Sequence, residues 1–270
     1  MADNRPIGVF DSGLGGLTVT KEIIKLLPNE DIIYFGDTGR VPYGTKGPKT
    51  IKKYALDDEK FLLSKNVKLI VAACGTVSSV AADTADSLPV PFIEVISHSV
   101  SSAVKATKNK RIGVLATGAT IKSGKHKSLI LKMLPDATVT EVSGTLLVPI
   151  VEEGFINEGN PVLEQAVKVY TKPFIEQNVD TVILGCTHFP LVASAIKKEM
   201  GENVTLINMG EATAVATKEK LEELDLLNSS GGKHKFYVSD KGATFEKTAS
   251  VLLGKKIDGD CIETVDISSI

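Results

Sequence analysis

Leu69-Ile70-Val71-Ala72-Ala73-Cys74-Gly75-Thr76 and Val182-Ile183-Leu184-Gly185-Cys186-Thr187-His188 are two apolar runs that each lead into a cysteine. The runs stand 113 residues apart and the cysteines 112. A second echo keeps the same order. Ile7-Gly8-Val9 leads to Asp11-Ser12-Gly13, and Ile112-Gly113-Val114 leads to Ala116-Thr117-Gly118, offset by 105 residues. Self-similarity of this kind implies two similarly folded halves. One cysteine then closes an equivalent strand in each half. If the halves face each other, the thiols approach a shared cleft from opposite sides.

Outward from these segments, runs of strand length recur at 6–10, 31–35, 67–73, 90–96, 111–116, 138–142, 181–184, 204–207 and 235–238. Several are apolar enough to be buried on both faces. Amphipathic stretches at 17–27, 160–170 and 193–200 read as helices. Strands alternating with helices predict an α/β fold with mostly parallel sheets and helices on both faces. In such sheets ligands bind beyond the carboxyl ends of the strands. The segment 97–102, rich in Ser and carrying His98, is a crossing point between halves, and the Gly/Ser-rich 228–235 reads as a flexible surface loop.

Composition narrows the function classes. The chain has 270 residues, 43% of them hydrophobic, with 5% aromatics and no Trp, so aliphatic side chains must fill the core. A net charge of −2 points away from nucleic acid and anionic membranes as partners. No apolar run has the length of a membrane span. The opening MADNRPIGVF is not a basic stretch followed by a long apolar one, so a cytoplasmic location is expected. Three cysteines, an odd number, fit a reducing compartment rather than a disulfide framework.

The residues after each strand carry the chemistry. Gly13-Leu14-Gly15-Gly16 follows the first run, but Thr18 leaves the dinucleotide pattern G-x-G-x-x-G incomplete. These glycines suit a tight turn that brings backbone N–H groups close to a small ligand. Asp11 and Ser12 stand at its mouth, and either could instead simply cap the next helix. The polar loop 36–44 holds Tyr43 and Gly44. Cys74 precedes small residues and a helix start, whose dipole lowers a thiol pKa. His188, two residues from Cys186, is a reasonable acid/base neighbour. No further Cys or His lies nearby to complete a metal site. Glu152 and Glu153 read first as solvated carboxylates. Cys261 reads as structural or incidental, and His98, His126 and His234 as surface or core-edge residues.

Taken together, Ile7–Thr18, Tyr34–Gly44, Ala73-Cys74-x-Thr76, Val148–Glu152, Leu184–Pro190 and Gly210–Ala214 resemble the glutamate racemase family, within the aspartate/glutamate racemase group, across nearly the whole chain. The resemblance implies two α/β domains with the active site between them. Residues 1–97 with 209–270 would form the first domain and residues 98–208 the second. It implies no cofactor and no metal, glutamate as substrate, a homodimer, and a role in supplying D-glutamate for peptidoglycan. Cys74 and Cys186 would be the two acid/base groups, tuned by Asp11 and His188, with Glu152 assisting near Cys186. Substrate would meet Asp11, Ser12, Tyr43, Gly44, Gly75, Thr76, Thr187, His188 and Glu152. The chain departs from the family pattern at Gly75, where Asn is usual, at Asn208-Met209 in place of Asp-Ser, and at Phe189 in place of Tyr.

Other readings use the same residues. A racemase of this group could act on aspartate or another amino acid. A homologue that has lost catalysis would bind its ligand without turnover, and Gly75 with Asn208-Met209 favours that reading. A Cys–His hydrolase would use Cys186 as a nucleophile, but it gives no reason for a second cysteine at the matching position.

Overall fold

The computed structural model describes residues 3–242, 245–257 and 261–267. Its first sheet holds β1 (Ile7–Asp11), β2 (Ile32–Gly36), β3 (Leu69–Ala72) and β4 (Phe92–Glu94). The second holds β5 (Arg111–Ala116), β6 (Thr138–Ser143), β7 (Thr181–Gly185) and β8 (Thr205–Asn208). The chain then returns to the first sheet with β9 (His234–Val238) and β10 (Ile262–Thr264), giving the orders β10-β9-β2-β1-β3-β4 and β6-β5-β7-β8. Every strand pair among the described residues is parallel.

The order β2-β1-β3-β4 is repeated as β6-β5-β7-β8, so the sequence echo is a repeat of topology. The register refines it. Ile7 pairs with Leu69 and Ile112 with Thr181, which puts equivalent positions of β3 and β7 112 residues apart. That is the cysteine offset. The 113-residue match of apolar runs is slipped by one, because runs of Leu, Ile and Val look alike in either register.

Alternation along the strands builds the cores. Ile7, Val9, Ile32, Tyr34, Leu69 and Val71 face one core, and the second sheet sends Ile112, Val114, Ile183 and Ile207 into the same one. Helices Val95–Ala106 and Met209–Glu223 fill the space between, so this core runs unbroken from sheet to sheet. On the outer faces, Phe10, Phe35 and Ile70 meet Phe61 and Leu62 of helix Pro48–Ser64. Leu115, Val182 and Leu184 meet Leu163, Val167 and Phe174 of helix Pro161–Glu176.

Several expectations shift. The strand at 90–96 ends at Glu94, whose carboxylate accepts from the N–H of Ile96 at 2.6 Å and Ser97 at 2.8 Å and so starts a helix. The crossing segment 97–102 is therefore helical. The loop expected at 228–235 is tied down, not free. Asn228 N–H donates to Glu30 at 2.7 Å and Lys233 N–H to Asp31 at 2.8 Å, while His234 and Lys235 belong to β9.

A buried ion pair fastens this returning chain. Lys68 Nζ lies 2.6 Å from Glu30 Oε2, and both side chains are almost fully buried. The ammonium also donates to the carbonyls of Asp3 at 2.7 Å and Leu226 at 2.6 Å. One cation thus joins the chain start, the β3 entry and the return segment. Removing one member of a buried pair leaves an uncompensated charge, at a cost of about 3–5 kcal/mol. Lys68→Met should lower the unfolding free energy by about that much in urea titration, and adding Glu30→Gln should recover part of it. An unchanged urea midpoint for Lys68→Met would show that the pair fastens nothing.

Candidate active site

The carboxyl edges of the two sheets face a common cavity of about 320 Å³. β1 delivers Asp11 and Ser12 to it, β3 delivers Cys74 to Thr76, and β7 delivers Gly185 to His188. Tyr43 and Gly44 come from the loop after β2, and Glu152 from helix Leu147–Glu152. All eleven residues expected at the site line this one cavity.

Cys74 is buried, and its thiol donates to Ser12 Oγ at 3.5 Å. Burial, and then the nearby Asp11 carboxylate, push its pKa up to about 12. The expected lowering by the helix start does not prevail. Hydrogen bonds from Ser12 and the Val77 and Ser12 backbone favour the thiolate, but desolvation outweighs them. Asp11 is itself raised by burial, although its Oδ2 accepts from Gly16 N–H at 2.9 Å and Gly13 N–H at 3.3 Å. Those two N–H groups are thereby taken, so the glycine loop does not offer them to a ligand. Its glycines serve close packing instead: a Cβ on Gly15 would strike the Thr187 hydroxyl and the His188 ring.

The second cysteine has different surroundings. Cys186 Sγ lies 3.7 Å from His188 Nδ1, and His188 Nε2 lies 3.1 Å from Glu152 Oε1. Burial opposes charge on His188, but the hydrogen bonds to Cys186 and Glu152 prevail and lift its pKa to about 10. Glu152 is therefore the outer member of a Cys–His–Glu chain, while Glu153 is exposed and lies off the cavity.

Tyr43 behaves differently from expectation. Its hydroxyl is held by Asp37, with Asp58 Oδ2 at 3.1 Å, and the residue is 1% exposed. Arg40 binds the same acids, reaching Asp37 at 2.5 Å, Asp57 at 2.7 Å and Asp58 at 3.0 Å. The phenol thus anchors the loop, and its hydroxyl is not free for a substrate. Asp58, raised by burial and then by Asp37, belongs to helix Pro48–Ser64, which the sequence reading did not anticipate.

Sequence reasoning also missed Thr117, Thr145, Val148 and Pro149 in the cavity wall. Thr117 was findable, because it stands 105 residues after Ser12 at the same place in the repeat. Its hydroxyl lies 3.3 Å from that of Thr76, across the cleft. Thr18 Oγ1 donates to the Thr187 carbonyl at 2.8 Å, a second bond between the halves. Elsewhere His126 is buried with neither ring nitrogen partnered among the described residues, its pKa held down to about 4 by burial. Cys261 is exposed, and its neighbours Gly259 and Asp260 lie outside the described residues.

The model of the Asp/Glu/Hydantoin racemase family matches residues 7–217. The chain belongs to that family. It is 41% identical over 256 residues to the glutamate racemase of Geobacter metallireducens, covering 94% of each chain. Among solved structures, it superposes on the Francisella tularensis glutamate racemase in complex with D-glutamate with a TM-score of 0.92 and 38% identity, covering 99% of this chain and 100% of that one. The Escherichia coli glutamate racemase, in complex with L-glutamate and the activator UDP-MurNAc-ala, gives 0.81 at 26% identity over 97% and 98%. The two-domain arrangement is the one these racemases share.

In this racemase the hydrogen bonds of His188 to Cys186 and Glu152 favour its cationic form. Its contribution to stability is full below the ordinary value of 6.5 and is lost as pH rises through about 10. An NMR titration of the imidazole should inflect near pH 10, and earlier in Glu152→Gln. An inflection at the ordinary histidine value in the unsubstituted protein would contradict the geometry.

Proposed function

We propose that this isomerase interconverts L- and D-glutamate by moving the Cα proton between two cysteines, without a cofactor. The observation that carries the reading is one thiol at the equivalent strand end of each half, both in one buried cavity. An α-proton is weakly acidic, so its base must sit close and dry. One thiolate takes the proton, breaking Cα–H and forming S–H. The other thiol gives its proton to the opposite face.

The two thiols have different neighbours. Cys74, beside Asp11, keeps its proton and acts as an acid. Cys186, beside a cationic His188, is positioned as the base. The roles exchange with substrate handedness. Ser12, Thr76 and Thr187 hydroxyls, with backbone donors at Gly44 and Gly75, hold the amino-acid head and the charge that develops on its carboxylate. Tyr43 contributes through its ring and backbone. The cavity volume falls at the small end of the range for ligand pockets, which suits a small amino acid.

Glutamate is favoured over other amino acids because the similar proteins are glutamate racemases. We further infer that the D-glutamate feeds peptidoglycan synthesis in the cytoplasm, where buried thiols stay reduced. The muramyl nucleotide that activates the E. coli relative supports this link.

Cys74→Ser and Cys186→Ser should each lower racemisation by about 10²–10⁴-fold, followed by optical rotation from each glutamate enantiomer in D2O. Wild-type protein should place deuterium at Cα of the inverted product. Wild-type rates in either variant would overturn the two-thiol mechanism. Glutamate binding without turnover by the unsubstituted protein would overturn catalysis, and inversion of aspartate in preference to glutamate would overturn the substrate.

A further inference from the structure

We propose that Thr18 is a positioning residue for the Cys186–His188 pair, donating across the seam to a carbonyl that its own turn leaves without a donor. The inference rests on the two-thiol reading above, in which Cys186 is one of the two acid/base groups. After β7 the chain runs through Cys186, Thr187 and His188 into a tight 3-10 turn, Phe189–Val192. The bonds of this turn step along the chain. Phe189 N–H donates to the Cys186 carbonyl at 3.1 Å, and Leu191 N–H to the His188 carbonyl at 3.2 Å. The bond between these two would run from residue 190 to the Thr187 carbonyl, but residue 190 is Pro and has no N–H.

The missing donor comes from the other half. Thr18, in the first turn of helix Leu17–Leu26, sets its Oγ1 2.8 Å from the Thr187 carbonyl oxygen. The same hydroxyl lies 2.9 Å from the Gly15 carbonyl, which already accepts from Thr18 N–H at 3.0 Å, so the hydroxyl proton is needed at Thr187. Thr18 and Thr187 are both buried, and a buried carbonyl left without a donor is costly to keep in place. That carbonyl belongs to the peptide joining Thr187 to His188. Pinning it fixes the plane from which the His188 side chain departs. With it are fixed the 3.7 Å approach to Cys186 and the 3.1 Å approach to Glu152. Gly15, just before the same helix, lets the loop come this close, since a Cβ there would meet the Thr187 hydroxyl and the His188 ring.

Substitutions can separate the hydroxyl from its packing. Thr18→Val keeps the shape and removes the donor. It should lower kcat for racemisation about 10- to 100-fold, the loss that follows when a reacting group drifts by up to about 1 Å. The His188 inflection in the NMR titration should fall below the value near 10 expected of the unsubstituted protein, because its bonds to Cys186 and Glu152 loosen. The titratable groups facing the ring are Cys186, Glu152 and, across the seam, Asp11, and the substitution changes none of them. Thr18→Ser keeps the donor and should keep both values. Thr20→Val removes a buried hydroxyl of the same helix that donates at 3.0 Å to the Gly16 carbonyl, within its own half, and should change neither.

Returning the donor from the other side is a second test. Pro190→Ala restores an N–H at the gap in the turn, so Thr18→Val should lower kcat by a smaller factor in a Pro190→Ala background than in wild type. Equal factors in the two backgrounds would overturn the proposal. So would wild-type kcat or an unmoved His188 inflection in Thr18→Val, or a Thr18→Ser variant as impaired as Thr18→Val. Failure here is separable from failure of the mechanism. If Cys74→Ser and Cys186→Ser lose inversion while Thr18→Val keeps it, only the positioning role is wrong. If the cysteine variants keep wild-type rates, the two-thiol reading is wrong, and the His188 inflection still reports whether Thr18 holds the ring.

Discussion

Parallel pairing makes every strand of a sheet release its following loop at the same edge. In this protein two such edges are turned toward each other, and the whole site depends on that opposition. β1 and β3 hold Asp11 and Cys74 on one side, and β7 holds Cys186 and His188 on the other. The unbroken core between the sheets, filled by helices Val95–Ala106 and Met209–Glu223, fixes how the edges face. The hydroxyl bonds Thr18–Thr187 and Thr76–Thr117 then stitch the edges where they meet. Without the shared core, each half would carry a cysteine with nothing opposite it.

A symmetrical scaffold carries an unsymmetrical charge pattern. Cys74 and Asp11 share one buried space; burial raises both, and the Asp11 carboxylate raises Cys74 further. The histidine cation that reaches Asp11 comes from the facing half. There His188 supplies it, held by Glu152 from behind. The difference arises because the repeat diverges where it reaches the cavity: Asp11 has Ala116 as its counterpart, and His188 has Thr76. The repeat supplies matched positions for the thiols, and departures from the repeat supply their different neighbours.

What could be read from the sequence follows from which forces act locally. The strand ends, both cysteines and His188 were legible, because apolar runs and the residues after them are contiguous in the chain. Tyr43 was placed at the site, but the direction of its hydroxyl was not, since Asp58 reaches it from a helix fifteen residues on. That helix shows only Ile51, Ala55, Phe61 and Leu62 as its apolar stripe, amid many charges. Glu152 looked like a solvated carboxylate because its partner is 36 residues away. The helix-start argument for Cys74 failed for a related reason. A dipole is visible in sequence, but the desolvation that overrides it is a property of the packed fold.

Asp11 shows why thiols suit this cavity. It takes two backbone N–H bonds and lies in the field of His188, and burial still drives its pKa up. A carboxylate acting as the proton-transferring base here would meet the same penalty without those two bonds. A thiolate spreads its charge over a larger, more polarisable atom and is more weakly solvated, so it loses less on entering a dry site. The cavity can then stay closed and narrow. A site that needed compensating donors for two charged carboxylate bases would have to open to make room for them.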